Sequence, residues 1–351
     1  MMLFTFVLSL SSCALVEPLI IRRSTTTTPT TSQTTPTPNT TTKSKFSTST
    51  TTNTNQDGKY YVIFECNNGN RFEQLTESKI TKPENPTKNY AEFVGWYTDE
   101  ELTKEFDFSK SINQNTILYA KYNIDYKQLT NAISTKTIKA NVQVNHINQR
   151  SVFSTTKKSI GSGEVIYSTV NNYYVLTNHH VIYPDDGYDI QYSKYNIEDA
   201  YGQVYDNVKV VYKDVDYDLA LLEVEKENYS KVPEILTLAD NVYLNSEIVA
   251  IGEPHAQNNT ITYGSIKMWY NFSAEPETVH QSNINFKVIA HDAKIQSGSS
   301  GGALLDTNLN LVGVNFASVT INNKEYSCAI SIYKVKEFLT LAEQELKIGI
   351  I

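Results

Sequence analysis

Apolar residues in the C-terminal part of this chain arrive in short bursts, and that spacing is the strongest constraint on its fold. Past residue 125, continuous or alternating apolar runs fall at Val165–Tyr167, Tyr173–Leu176, Val208–Val211, Leu219–Val224, Ile248–Gly252, Lys287–Ala290, Ala303–Leu305 and Leu311–Val314. These runs are too short for globular helices and long enough for strands. Gly, Asn and Asp punctuate them at close intervals, the pattern of an all-β sandwich or barrel. One segment departs from it. Ile332, Val335, Phe338, Leu339, Ala342 and Leu346 recur at helical spacing, which predicts a single amphipathic helix at the C-terminal end.

The first part of the chain is different in kind. Between Ser24 and Gln56, 17 of 33 residues are Thr, with Phe46 almost alone as an apolar residue. Such a stretch has too little apolar surface to offset its ordering entropy, so residues 24–58 are expected to be an extended, solvated linker. Before it, Met1 to Ile21 is nearly all apolar or small, followed by Arg22-Arg23. Two readings of residues 1–23 fit: an export signal, or an anchor of about 20 residues spanning a bilayer. Leu10-Ser11-Ser12-Cys13 resembles the bacterial lipobox, which makes Cys13 a lipidation candidate and gives the protein a membrane attachment at the cell surface. No basic residue precedes the apolar run, where export signals normally carry one.

Composition excludes several classes of function. With 30 Lys+Arg against 38 Asp+Glu, the formal charge is -8, which argues against nucleic acid as a partner. Cys13, Cys66 and Cys328 are too few and too scattered for a disulfide framework or a CxxC metal site.

Residues 59–122 read as short strands separated by turns. Tyr60 to Phe64, Phe93 to Tyr97 and Ile117 to Tyr122 are the strands; Asn67-Asn68-Gly69-Asn70 is a turn, and Pro83 and Pro86 mark a loop. Phe93-Val94-Gly95-Trp96-Tyr97, Phe106-Asp107-Phe108 and Thr116 to Tyr122 resemble the Listeria–Bacteroides repeat, the β-grasp-like module of bacterial surface proteins. The resemblance implies either a spacer or a module that binds a surface ligand. Trp96 is expected in its core.

Three blocks in the last domain, residues 123–351, carry chemistry. Val175-Leu176-Thr177-Asn178-His179-His180-Val181 is a strand that delivers histidine at its end. Asp216-Tyr217-Asp218-Leu219-Ala220 places an acid before a buried strand. Gln296-Ser297-Gly298-Ser299-Ser300-Gly301-Gly302-Ala303 sets serine among glycines before another. A serine hydroxyl needs an adjacent base to become a nucleophile. Imidazole can take that proton and return it to the leaving group, and a buried carboxylate fixes the imidazole tautomer. Glycines permit the tight turn that aims backbone N–H groups at a developing oxyanion.

In this order the blocks resemble the chymotrypsin-like serine endopeptidases, most closely the bacterial trypsin-like branch that includes the HtrA/Deg proteases. Gly161-Ser162-Gly163 and Ile248 to Pro254 fit the same branch, so the similarity runs from about residue 160 to 338. The resemblance implies a mainly β fold of two antiparallel six-stranded barrels, at about 140–235 and 240–330, with the C-terminal helix. It assigns the general base to His180, with His179 as the alternative, the orienting acid to Asp218 and the nucleophile to Ser300. The oxyanion donors are then the N–H groups of Gly298 and Ser300. Ser299 stands where digestive enzymes have Asp, so activation through an N-terminal ion pair is not expected. Substrate contacts fall on Lys294, Ile295, Phe316, Ala317 and Ser318, with the last three pairing with an extended polypeptide substrate as an added strand. No acid lies where a trypsin-like pocket needs one, which favours a small or medium apolar residue before the scissile bond. Neither metal nor organic cofactor is implied. The rival reading is a surface adhesin whose barrel domain only binds.

Overall fold

The computed structural model describes residues 58–149, 157–183, 192–226, 233–252, 260–278 and 280–350. The expected targeting segment 1–23 with Cys13, and the Thr-rich tract up to residue 57, lie outside the described residues.

Four strands build the first module: β1 (Tyr60–Glu65), β2 (Arg71–Thr76), β3 (Ala91–Tyr97) and β4 (Thr116–Ile124). They form one sheet in the order β2-β1-β4-β3, with β1 and β4 parallel and the other pairs antiparallel. Val62, Phe64, Trp96, Leu118, Ala120 and Tyr122 make its core. Trp96 is buried, with the Phe64 ring edge-on at 4.8 Å. Strand β2 was not expected. It is an edge strand that leaves Phe72 and Leu75 exposed, and its polar residues hide the strand signal.

A helix the sequence reading did not anticipate, α1 (Tyr126–Thr135), follows the module. Asp125 caps it by accepting the Gln128 N–H at 2.9 Å. Only Leu129 and Ile133 are buried along it, too few to announce a helical stripe.

The next strands are β5 (Asn141–Gln149), β6 (Lys157–Ser168), β7 (Asn172–Thr177), β8 (Tyr192–Asp199), β9 (Val204–Tyr205), β10 (Val208–Asp214) and β11 (Leu219–Glu225), with the one-turn helix α2 (His179–Ile182) after β7. Their order is β10-β11-β7-β6-β5-β8-β9. The mainly β fold with barrel-like sheets is as expected, but among the described residues this first sheet has seven strands rather than six and is not cleanly closed, with β9 on the outer edge of β8.

The second half does close. Strands β12 (Glu247–Gly252), β13 (Thr260–Ser273), β14 (Asn285–His291), β15 (Ala303–Asp306), β16 (Leu311–Ile321) and β17 (Lys324–Ser331) form a six-stranded barrel in the order β12-β13-β14-β17-β16-β15. The chain then enters α3 (Ile332–Leu346), which buries Ile332, Val335, Phe338, Leu339 and Ala342.

Strand alternation explains why the apolar runs are continuous. Along β11, Ala220, Leu222 and Val224 face the interior of the first sheet. Leu219 and Leu221 face the opposite way, into a core shared with Val249, Ile251, Leu305 and α3. Strands β7 and β12 are likewise buried on both faces. Each fully buried Leu, Ile or Phe contributes roughly 1.5–3 kcal/mol, so this shared layer holds the two halves together.

The first module touches the second barrel. Lys88 forms an ion pair with Glu247, the Asn89 amide donates to Asn308 Oδ1 at 2.9 Å, and the Tyr243 hydroxyl donates to the Gly69 carbonyl at 3.2 Å.

Candidate active site

Strand β7 ends at Thr177, and the single turn of α2 then carries His180. Asp218 comes from the four-residue hairpin loop between β10 and β11, where Asp214 pairs with Leu219. Its carboxylate holds His180 at two points. Oδ1 accepts the His180 backbone N–H at 2.9 Å, and Oδ2 lies 2.8 Å from Nδ1. Asp218 is fully buried, whereas the His180 side chain is 28% exposed. An acceptor on Nδ1 places that ring proton on Nδ1 and leaves Nε2 as the basic nitrogen of the neutral ring.

His179 points elsewhere. Its Nδ1 lies 2.7 Å from the Gln281 carbonyl, its ring stacks on Tyr183 at 5.3 Å, and burial pushes its pKa down.

The serine block forms a tight turn. The Ser299 N–H donates to the Gln296 carbonyl at 2.9 Å, with Gly298 at a φ of 97° in the third position, which a side chain would strain. The N–H groups of Gly301 and Gly302 are bonded to the carbonyls of Asn315 and Ser299. Among the described residues, no carbonyl accepts the N–H of Gly298 or Ser300. The Ser300 hydroxyl donates to the Phe316 carbonyl at 3.3 Å.

Residues of the first sheet grip this turn. The Ser162 N–H donates to the Ser300 carbonyl at 2.7 Å, its hydroxyl to the Gly298 carbonyl at 2.8 Å, and Thr177 Oγ1 donates to the Ser162 carbonyl at 2.7 Å. A Cβ on Gly161 would stand 2.6 Å from the Val181 side chain and 3.1 Å from the Ser300 carbonyl. The β6 strand carrying Gly161 therefore passes close to both the turn that carries His180 and the turn that carries Ser300.

Further polar groups that the sequence reading missed support the chain beyond Ser300. The buried Glu164 carboxylate accepts the Ala303 N–H at 2.7 Å. The Asn315 amide donates to the carbonyls of Gly302 and Ala303 at 3.1 and 2.9 Å, while its Oδ1 lies 3.1 Å from His291 Nε2. Burial pushes the His291 pKa down to about 4. Each interrupts an apolar strand with a polar residue, and that interruption was the available signal.

The expected substrate residues fall into two groups. Phe316 is the extra residue of a bulge opposite β17, its ring packs edge-on against Phe272 at 4.9 Å, and Ala317 and Ser318 pair with Cys328 and Ser327. On the other edge of β16, pairing with β15 stops at Val314. Lys294 and Ile295 instead line a cleft with Gly252, Thr260, Thr262, Gln296 and Ser299, and none of Phe316, Ala317 or Ser318 borders it. Burial pushes the Cys328 thiol up to about 12 and the Cys66 thiol to about 11, so neither is a reactive thiolate. Among the described residues, no three His, Cys, Asp or Glu side chains gather as metal ligands would.

Residues 161–314 match the trypsin-like peptidase domain family, and residues 60–121 match the Listeria–Bacteroides repeat domain. Over 161 residues, 46% of this chain and 31% of the relative, it is 34% identical to the periplasmic pH-dependent serine endoprotease DegQ of Escherichia coli. Over 161 residues, 45% of this chain and 49% of the relative, it is 32% identical to the chloroplastic Protease Do-like 5 of Arabidopsis thaliana. The chain thus spans half or less of the length of these relatives. The solved structure of the Rv3671c protease from M. tuberculosis is similar at 22% identity and a TM-score of 0.49, over 61% of this chain and 85% of that one. The span matched to the trypsin-like peptidase family includes His180, Asp218 and Ser300 together with the Gly161 to Gly163 strand.

Proposed function

We propose that the protein is a serine endopeptidase in which His180, Asp218 and Ser300 form the catalytic triad. The observation that carries this reading is the two-point hold of buried Asp218 on His180, in a domain whose glycine-flanked Ser300 stands beside two open N–H groups. Extended polypeptide lies along the free edge of β16 from Phe316 to Ser318. The Ser300 hydroxyl turns from the Phe316 carbonyl to His180, gives its proton to Nε2 and attacks the substrate carbonyl. The N–H groups of Gly298 and Ser300 stabilise the oxyanion, and each such donor is worth about 2.7–4 kcal/mol. His180 passes the proton to the leaving amine. An acyl-enzyme remains, and water attacks it with His180 again as base. Asp218 keeps the imidazole in the required tautomer and stabilises the imidazolium.

The residue before the scissile bond is small or medium and apolar. Lys294 is exposed and lines the other cleft, and the Ser327 hydroxyl already accepts the Ile295 N–H at 3.3 Å. The periplasmic setting named for DegQ supports an envelope or extracellular location, with Cys13 as the lipid attachment point. Mass spectrometry of the mature N-terminus checks that attachment, and an unprocessed Met1 rejects it.

A fluorophosphonate probe should label the wild type and not Ser300→Ala. An unlabelled wild type overturns the hydrolase reading and leaves a binding domain. His180→Ala should abolish peptide cleavage while His179→Ala retains it; the reverse result would move the base to His179.

A further inference from the structure

We infer that Asn178 is a positioning residue that holds Asp218 in the backbone conformation from which its carboxylate reaches His180. This rests on the triad proposed above. Asp218 has a φ of 50°, in the left-handed region where a non-glycine residue is uncommon. The hairpin loop begins that kink, with the Asp218 N–H donating to the Val215 carbonyl at 3.2 Å. The Asn178 amide completes it, donating from Nδ2 to the Asp218 carbonyl at 2.9 Å.

The arrangement at α2 shows what this asparagine is for. Asn178 stands at the N-cap, where its side chain would ordinarily accept a hydrogen bond from the first turn, yet it makes no capping bond. The Asp218 carboxylate accepts the His180 N–H of that turn instead. The two residues have exchanged partners: the acid caps the histidine helix, and the cap residue clamps the acid. Because the Asp218 carbonyl only accepts, the Asn178 amide must present its nitrogen there, and Oδ1 is left buried with no hydrogen-bond partner among the described residues. An asparagine kept fully buried with half its polar capacity unmet has its use in the other half. Release of the clamp lets the Asp218 backbone relax and turns the carboxylate away from Nδ1, which weakens His180 as a base.

The test is a double-mutant cycle on the full chain, with Asn178→Ala, Asp218→Ala and their combination. Rates of peptide cleavage are normalised to the folded fraction from near-UV circular dichroism. Asn178→Ala should lower kcat by about 10- to 100-fold with KM changed by less than about threefold, and should shift the acid limb of the kcat–pH profile to lower pH, because an imidazole that loses its carboxylate partner has a lower pKa. In the Asp218→Ala background it should change kcat by less than about twofold, since residues that act as a unit are not additive. Asn178→Ser, one bond shorter yet well suited to a helix start, should reproduce the loss if Asn178→Ala folds poorly. Equal losses in both backgrounds, or an unchanged kcat for either Asn178 variant, would overturn the clamp while leaving the triad intact. An Asp218→Ala protein with wild-type kcat would overturn both.

Discussion

Replacing His291 with glutamine and then acidifying the protein measures how firmly the strand beyond Ser300 is held. In the folded chain His291 is fully buried, and Nε2 lies 3.1 Å from Asn315 Oδ1, an acceptor, so the proton is on Nε2. A second proton must enter at Nδ1, which is also shut off from solvent. Burial lowers the pKa from its ordinary 6.5 to about 4, against weaker opposing effects of Asn315 and Asp292. Above pH 6.5 the ring is neutral in both the folded and unfolded chain, and its contribution is fully present. As pH falls below 6.5 the unfolded chain takes up a proton that the folded chain refuses. Each pH unit then removes about 1.4 kcal/mol, so about 3 kcal/mol is gone by pH 4. Glutamine still offers an N–H to Asn315 but cannot titrate. Urea unfolding of both proteins at pH 7, 6, 5 and 4 isolates this effect, because the carboxylates common to both cancel in the difference. The stability of the wild type relative to His291→Gln should fall by about 3 kcal/mol from pH 7 to pH 4. Two curves that run parallel would refute the reasoning.

Three further substitutions test the packing around the site. Gly301→Ala puts a Cβ 2.0 Å from the Ser162 carbonyl and 2.4 Å from Thr177 Oγ1 at a φ of 86°, so kcat/KM should fall about 100-fold or more. Michaelis kinetics equal to the wild type would refute the grip of the first sheet on the nucleophile turn. Phe338→Ala empties the space beneath the Tyr212 and Tyr217 rings, 5.1 and 6.2 Å away, and should cost about 3–5 kcal/mol in urea unfolding. Lys88→Met strands Glu247 without its cation and should destabilise by about 1–3 kcal/mol, whereas the double variant Lys88→Met/Glu247→Leu should recover part of that loss. A double variant no more stable than the single one in thermal melts would refute this.

How much was legible depended on where each strand lies. The run Leu219–Val224 is buried on both faces and stood out as continuous. Strand β5 did not, because Asn145, His146 and Asn148 are buried polar residues within it. At the site, the three blocks proposed to hold the triad stood out in the sequence because each places a polar side chain next to a strand. The left-handed backbone of Asp218 was not, since loop length and a distant amide decide it. The seventh strand of the first sheet was not legible, because two residues, Val204 and Tyr205, suffice to form it.

The seam between the repeat module and the second barrel limits how such modules can be exchanged. A module joined only through a linker can be recombined among proteins without regard to its neighbour. Here Lys88, with a side chain 4% exposed, is keyed to Glu247 at the start of β12, and Gly69 and Asn89 meet Tyr243 and Asn308. A foreign repeat inserted at this position inherits a half-buried carboxylate with no cation, so module and barrel must change together or not at all.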